Sequence, residues 1–177
     1  MTRRSRLAAL GGIVGPAVFI TAWATLGART KHYSPVRDHI SRLAAIGAST
    51  RPEMTAAFLT FAAGLALYAV AARDELSPHV GALAAVNAAS TLGVAALPLE
   101  GFGGGIGHAA AAGVGYVTLA AMPGFSGRRE GRAVAAAIAV PLVLSALGGG
   151  RTGLWQRTGL TIGDAWIIST AWRMLRK

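Results

Sequence analysis

The sequence predicts an all-α membrane protein, a bundle of six transmembrane helices with a short interfacial helix in the first outer loop. Three observations carry that expectation. Six stretches with almost no charge, 7–28, 54–72, 79–99, 108–125, 133–149 and 158–172, fill most of the 177 residues, and each approaches the ~20 residues that an α-helix needs to cross ~30 Å of hydrocarbon. The segments between them are too short to build a separate water-soluble core. Composition agrees: 53% of residues are hydrophobic, only 14% are charged, and the mean hydropathy is +0.50, far from the balance of an ordinary soluble domain. A single membrane domain over 1–177 is therefore expected.

Taken in order, the first stretch follows the basic residues Arg3, Arg4 and Arg6 and superficially resembles a signal peptide. Its length exceeds the ~7–15 apolar residues of a cleavable core, so it reads as a retained helix. The only long connection, 29–53, follows. There Ser34-Pro35 begins a short segment in which Ile40, Leu43 and Ala44 share one helical face while Arg37, Asp38, Ser41 and Arg42 share the other, with Gly47 as a stop. Such an amphipathic segment is expected to lie along the outer membrane surface. Thr50-Arg51-Pro52-Glu53 reads as a capping box opening the second helix, and Ser77-Pro78 as an N-cap before the third. Gly124 and Gly149 fall where the fourth and fifth helices should stop, and Pro16 and Pro141 fall inside helices one and five. Small residues four apart, at Gly11 and Gly15, Gly103 and Gly107, Ala109 and Gly113, and Ala111 and Gly115, allow close helix approach. That approach serves packing within the chain or, through one of these faces, a homo-oligomer or a membrane protein partner.

The formal charge of +10 sits in the caps and loops rather than on an aromatic-interleaved basic stripe, which argues for membrane topology and against nucleic acid. With the N-terminus inside, ten of the 17 Lys and Arg residues lie on the inner side and seven, Arg29, Lys31, Arg37, Arg42, Arg51, Arg151 and Arg157, on the outer side. The positive-inside rule thus places both termini in the cytoplasm of a protein of the plasma membrane. The absence of cysteine removes disulfides, thiolate metal sites and cysteine nucleophiles.

Two groups of polar residues bear on function. Asp164 lies well inside the sixth apolar segment, where an acid is expensive and marks a path, a ligand or an internal partner. Asn87 and Tyr116 fall near the middles of helices three and four, so the three are expected to share one layer. Arg157, Thr161 and Asp164, at i, i+4 and i+7, form a polar stripe. The second group is gathered by topology: His32, Asp38, His39, Ser41, Glu100, His108, Arg151 and Arg157 all belong to the outer side. Such a set can hold a lipid phosphate through its arginines, bind a divalent metal through His39, His108 and Glu100, or run acid–base hydrolysis with His108, Glu100 and Asp38 as candidate catalytic groups. No HExxH, GxSxG or P-loop spacing is present. The glycine run 101–107 is a helix-to-helix turn without the strand that dinucleotide binding needs. His79 and His108 face opposite sides, which argues against a bis-histidine haem. No cofactor is named by any of these residues.

Tyr33-Ser34, Ile40-Ser41-Arg42-Leu43 leading to Gly47 and Met54, Pro98 followed by His108, and Gly153-Leu154-Trp155-Gln156-Arg157 together resemble the bacterial and archaeal membrane family catalogued as domain of unknown function 998. The resemblance implies about six spans and carries no established activity. Where that family often has an aspartate shortly after the proline, this chain has Leu99-Glu100. The family-like motifs fall on one outer surface, which directs attention there. The favoured expectation is a pocket for a lipid headgroup or small anion. In it Arg151 and Arg157 contact the anion, Tyr33 and Ser41 orient it, and His108 with Glu100 supply hydrogen bonds or protons. The alternatives are a metal-dependent membrane hydrolase, a proton-coupled carrier centred on Asp164, and a non-catalytic membrane subunit.

Overall fold

A computed structural model describes residues 3–100 and 105–177, with side-chain surroundings for 5–100 and 105–177. Gly101, Phe102, Gly103 and Gly104, four residues of the predicted glycine turn 101–107, lie outside the described residues, as do Met1 and Thr2. The described residues are all-α, with six α-helices among them: α1 (Arg3–Arg29), α2 (Arg51–Glu75), α3 (Pro78–Ala96), α4 (Ile106–Ala121), α5 (Gly131–Ala146) and α6 (Thr152–Leu175). Three of them, α1, α2 and α3, are long and apolar enough to cross a membrane, with mean hydropathies of 1.8, 1.8 and 1.3 over their most apolar windows.

Boundaries shift from the expected ones for local reasons. Helix α3 stops at Ala96 because Pro98 disfavours helical backbone at Leu97, which is extended. Helix α4 tightens into a 3-10 turn, Met122–Phe125, where Pro123 has no amide proton to donate. Helix α5 stops at Ala146, ahead of Gly148 and Gly149, whose φ values of +85° and +105° suit glycine. Ser77 accepts from the Val80 amide at 3.2 Å, the expected cap of α3. Thr50, by contrast, makes no capping-box bond, because its hydroxyl donates to the Leu43 carbonyl at 2.7 Å.

Successive helices run antiparallel. Phe19 of α1 packs against Phe58 and Phe61 of α2 at ring-centroid distances of 5.6 and 5.0 Å. Gly64 of α2 meets Gly11 and Gly15: a β-carbon on Gly64 would sit 2.6 Å from the Gly11 carbonyl oxygen and 2.8 Å from the Gly15 α-carbon. The first small-residue pair therefore works within the chain, letting two backbones touch. The Tyr68 hydroxyl bonds that of Thr170 at 2.7 Å, tying α2 to α6. One end of the bundle carries the start of α1 and the end of α6, where Lys177 pairs with Glu75 at 3.0 Å. The opposite end carries the first loop together with the α3–α4 and α5–α6 connections.

In the first loop a turn over Ser34–Asp38 leads into a 3-10 helix, Ile40–Ala44, in place of the expected surface helix. Ile40 and Leu43 are each 1% exposed and join the core. At three residues per turn they eclipse one another, so the face they share packs into the bundle end. Ser41, assigned by an α-helical period to the wet face, is buried.

Candidate functional site

The loop is held by the first turns of α6. Four consecutive backbone carbonyls accept from it: Pro35 and Asp38 from Arg157 Nη1 at 2.8 and 2.9 Å, Val36 from the Leu154 amide at 2.9 Å, and Arg37 from the Thr152 hydroxyl at 3.2 Å. One turn on, the Ile40 amide donates to Gln156 Oε1 at 2.8 Å. A loop segment without a sheet or helix of its own must find partners for its buried polar backbone, and α6 supplies them. Gly153 permits this approach. A β-carbon there would lie 2.4 Å from the Asp38 carbonyl oxygen and 2.8 Å from that of Pro35.

Arg157 is the centre of this arrangement. Its guanidinium, buried at 7% exposure, also donates to the Tyr33 hydroxyl and stacks 5.3 Å from the Trp23 ring centre and 5.4 Å from that of Tyr33. The planar fork suits carbonyl oxygens and aromatic faces at once. Its Nη1 is fully occupied by backbone, so the residue expected to grip an anion instead builds the wall of the site. Tyr33 passes the connection on, donating to the His39 carbonyl at 3.2 Å. Burial raises the Tyr33 phenol above its usual pKa, with Arg157 opposing the rise. Burial also lowers the pKa of the His39 imidazole, and Arg157 and His108 push the same way.

Beneath the loop, Ser41 and His108 meet. The Ser41 hydroxyl lies 2.9 Å from His108 Nε2, and His108 Nδ1 lies 2.6 Å from the Leu97 carbonyl oxygen. A carbonyl only accepts, so Nδ1 carries the proton. With the proton on Nδ1 alone, Nε2 is left to accept from Ser41. Ser41 and His108 are 7% and 6% exposed. Ser41 also lines a cavity of about 60 Å³ running down the bundle. Phe19, Phe58, Phe61, Val94, Leu119 and Leu160 make it mainly apolar, and Asn87, Thr91, Tyr116 and Gln156 add polar groups. Gln156 Nε2 donates to the Tyr116 hydroxyl at 2.5 Å. Tyr116 is shared with an apolar groove between α4 and α5 lined by Val117, Ala120, Ala139 and Val143.

The remaining candidates are dispersed. Glu100 accepts from the Ile46 amide at 3.2 Å and pins the far end of the loop. Asp38 closes its own turn, Oδ2 accepting from the Ser34 amide at 2.7 Å, with Arg42 3.9 Å from Oδ1. Arg151 and His32 are exposed, His32 with a φ of +61°. Among the described residues no three of His, Cys, Asp and Glu gather as metal ligands, so His39, His108 and Glu100 do not form the expected set. Nor do Asp164, Asn87 and Tyr116 bond in one layer. Asn87 donates to the Gly115 carbonyl at 2.7 Å and the Thr118 hydroxyl at 2.9 Å, Tyr116 bonds Gln156, and both carboxyl oxygens of Asp164 are buried without a hydrogen-bond partner. Thr161 is exposed, because the packed arc of α6 centres on Gln156, Gly163 and Ile167 and Thr161 falls beyond its edge. Gln156 was legible only as part of a motif. The signal that would have singled it out is the one applied to Asp164, a lone polar side chain in an apolar helix.

No curated protein and no solved structure matches this chain. The family described as "Protein of unknown function (DUF998)" matches residues 13–173, so the loop-end residues just described all lie within the match, and the chain belongs to that family.

Proposed function

We propose that this protein is a six-span membrane protein that binds a lipid-like molecule, an apolar chain with a small polar head, in the cavity beneath the docked first loop. The observation that carries the reading is the cavity's lining: aromatic and aliphatic side chains along its length, with Ser41, Gln156 and Tyr116 contributing polar atoms. A pocket of that kind orients a mostly apolar ligand by a few polar contacts. The exposed Arg151 beside the loop end is the cation for a head-group phosphate, while Arg157 holds the structure that frames it. Two features support six crossings. Helix α4 with its 3-10 continuation spans about 32 Å, and Val117 of α4 and Val143 of α5 are 69% and 55% exposed, an apolar surface suited to lipid. With the termini in the cytoplasm of a plasma-membrane protein, the loop end faces outward.

Native mass spectrometry of protein released in a mild detergent tests the reading. Wild type retains one ligand of lipid mass, and Ala112→Phe, which fills the cavity from α4, releases it while the helical content is kept. Wild type free of ligand, or a ligand equally retained by Ala112→Phe, overturns the proposal.

A further inference from the structure

We propose that Ser41 and His108 are a nucleophile–base pair that hydrolyses a carboxylic ester of the molecule held in the cavity. The inference rests on the binding reading above and adds a reaction to it. Three elements of the fold bring the parts together: the 3-10 helix supplies Ser41, α4 supplies His108, and the end of α3 supplies the Leu97 carbonyl.

The geometry has the form that serine acyl transfer needs. A hydroxyl is within hydrogen-bond reach of an imidazole nitrogen, and the other ring nitrogen is held by a fixed acceptor that sets the tautomer. With Nδ1–H on the Leu97 carbonyl, the Nε2 lone pair is directed at the Ser41 proton. Ser41 lines the cavity, so its oxygen reaches a bound ligand while His108 stands behind it. A donor for the developing oxyanion is also present. Gln156 donates to the Tyr116 oxygen, and the phenol proton has no acceptor among the described residues, so it is free to donate into the same cavity. Gln156 couples the two sides, since its Oε1 holds the amide of Ile40, the residue before Ser41.

In the reaction, Ser41 Oγ attacks the ester carbonyl carbon as its proton passes to His108 Nε2. The tetrahedral oxyanion accepts from Tyr116. Collapse breaks the bond to the alcohol oxygen, which leaves with the proton from Nε2, and the acyl group stays on Ser41. A water molecule then attacks the acyl carbon and gives its proton to Nε2. Ser41 departs with that proton, and the carboxylic acid is released. No oxidant or metal enters the balance.

A short-chain alkyl fluorophosphonate, whose phosphorus traps an activated serine, tests the pair on the full-length protein in mild detergent. The inference predicts one covalent adduct, mapped to Ser41 by peptide mass and absent in Ser41→Ala. His108→Gln keeps a hydrogen-bonding partner for Ser41 but removes the base, and slows labelling about 100-fold or more. Tyr116→Phe keeps the ring packing and slows it about 100-fold. Lipid retention is read on each variant by native mass spectrometry. A wild type that keeps its lipid but leaves Ser41 unlabelled overturns the hydrolytic inference and leaves the binding reading standing. A wild type without lipid and without adduct removes both. Labelling of Ser41 at equal rates in His108→Gln shows a hydrogen bond with no base function and also overturns the inference.

Discussion

Replacing Arg157 by alanine removes the guanidinium on which the first loop is built, and the structure sets the size of the effect. Three bonds to the loop are lost, to the carbonyls of Pro35 and Asp38 and to the Tyr33 hydroxyl. At ~1.5 kcal/mol each for bonds to a charged donor they amount to roughly 4–5 kcal/mol. Stacking on Trp23 and Tyr33 contributes about 1 kcal/mol more. Against this, the variant no longer buries a cation that lacks a carboxylate partner, which returns a few kcal/mol. The net expectation is a loss of about 3 kcal/mol, concentrated in residues 33–46, because the lower half of α6 keeps its contacts with α1 and α2 through Ala171 and Thr170. Each ~1.4 kcal/mol is tenfold in an equilibrium, so amide exchange in that segment should quicken about 100-fold in micelles while the centres of α2 and α6 stay protected. Exchange within threefold of wild type would refute the role given to Arg157. Uniform acceleration over all six helices would refute its confinement to the loop.

Gly153→Ala drives a β-carbon into the Asp38 and Pro35 carbonyls; it should cost about 1–3 kcal/mol and reproduce the Arg157→Ala exchange pattern with the arginine intact. For His39 the sign follows from its environment. Burial and the neighbouring Arg157 and His108 oppose its protonation and Asp38 favours it, with a net lowering from 6.5. The unfolded loop therefore binds a proton more readily, and the stability His39 confers is full above about pH 6.5 and lost as pH falls through the lower, folded value. Exchange of residues 33–46 should quicken on acidification below about pH 6.5, and His39→Gln should flatten that dependence. Asp164→Leu replaces a buried carboxyl without a hydrogen-bond partner by an apolar side chain of similar size, so thermal melts should show a Tm equal to or above wild type. A loss beyond about 2 kcal/mol would mean that Asp164 has a partner in the membrane.

What the sequence made legible was the helical framework and its connectivity. Uncharged runs marked all six helices, and their alternation alone assigns residues 41 and 108 to one end, where they meet. What it hid was the work of the backbone. Arg157 resembles an anion ligand when only side chains are counted, since its acceptors are the carbonyls of Pro35 and Asp38, and every residue type carries a carbonyl. Ser41 was given a wet face by a period of 3.6, and the seating of the 3-10 segment 40–44 against α4 buries it beside His108. Gly153 could be quoted in a motif, yet its reason, room for two loop carbonyls, exists only once the loop is folded. Asp164 was expected to have partners in Asn87 and Tyr116, but each of these is claimed by a nearer group on α4 or α6.

The docking of the first loop on α6 frames the cavity and orients Ser41. It is tested most directly by a cysteine pair at Val36 and Leu154, whose backbones are joined by a 2.9 Å hydrogen bond and which are 43% and 39% exposed. The chain has no native cysteine to compete. Mild oxidation of the double variant in native membranes should close the disulfide in nearly all molecules. Failure to close, with each thiol freely labelled by a maleimide, would contradict the docked loop.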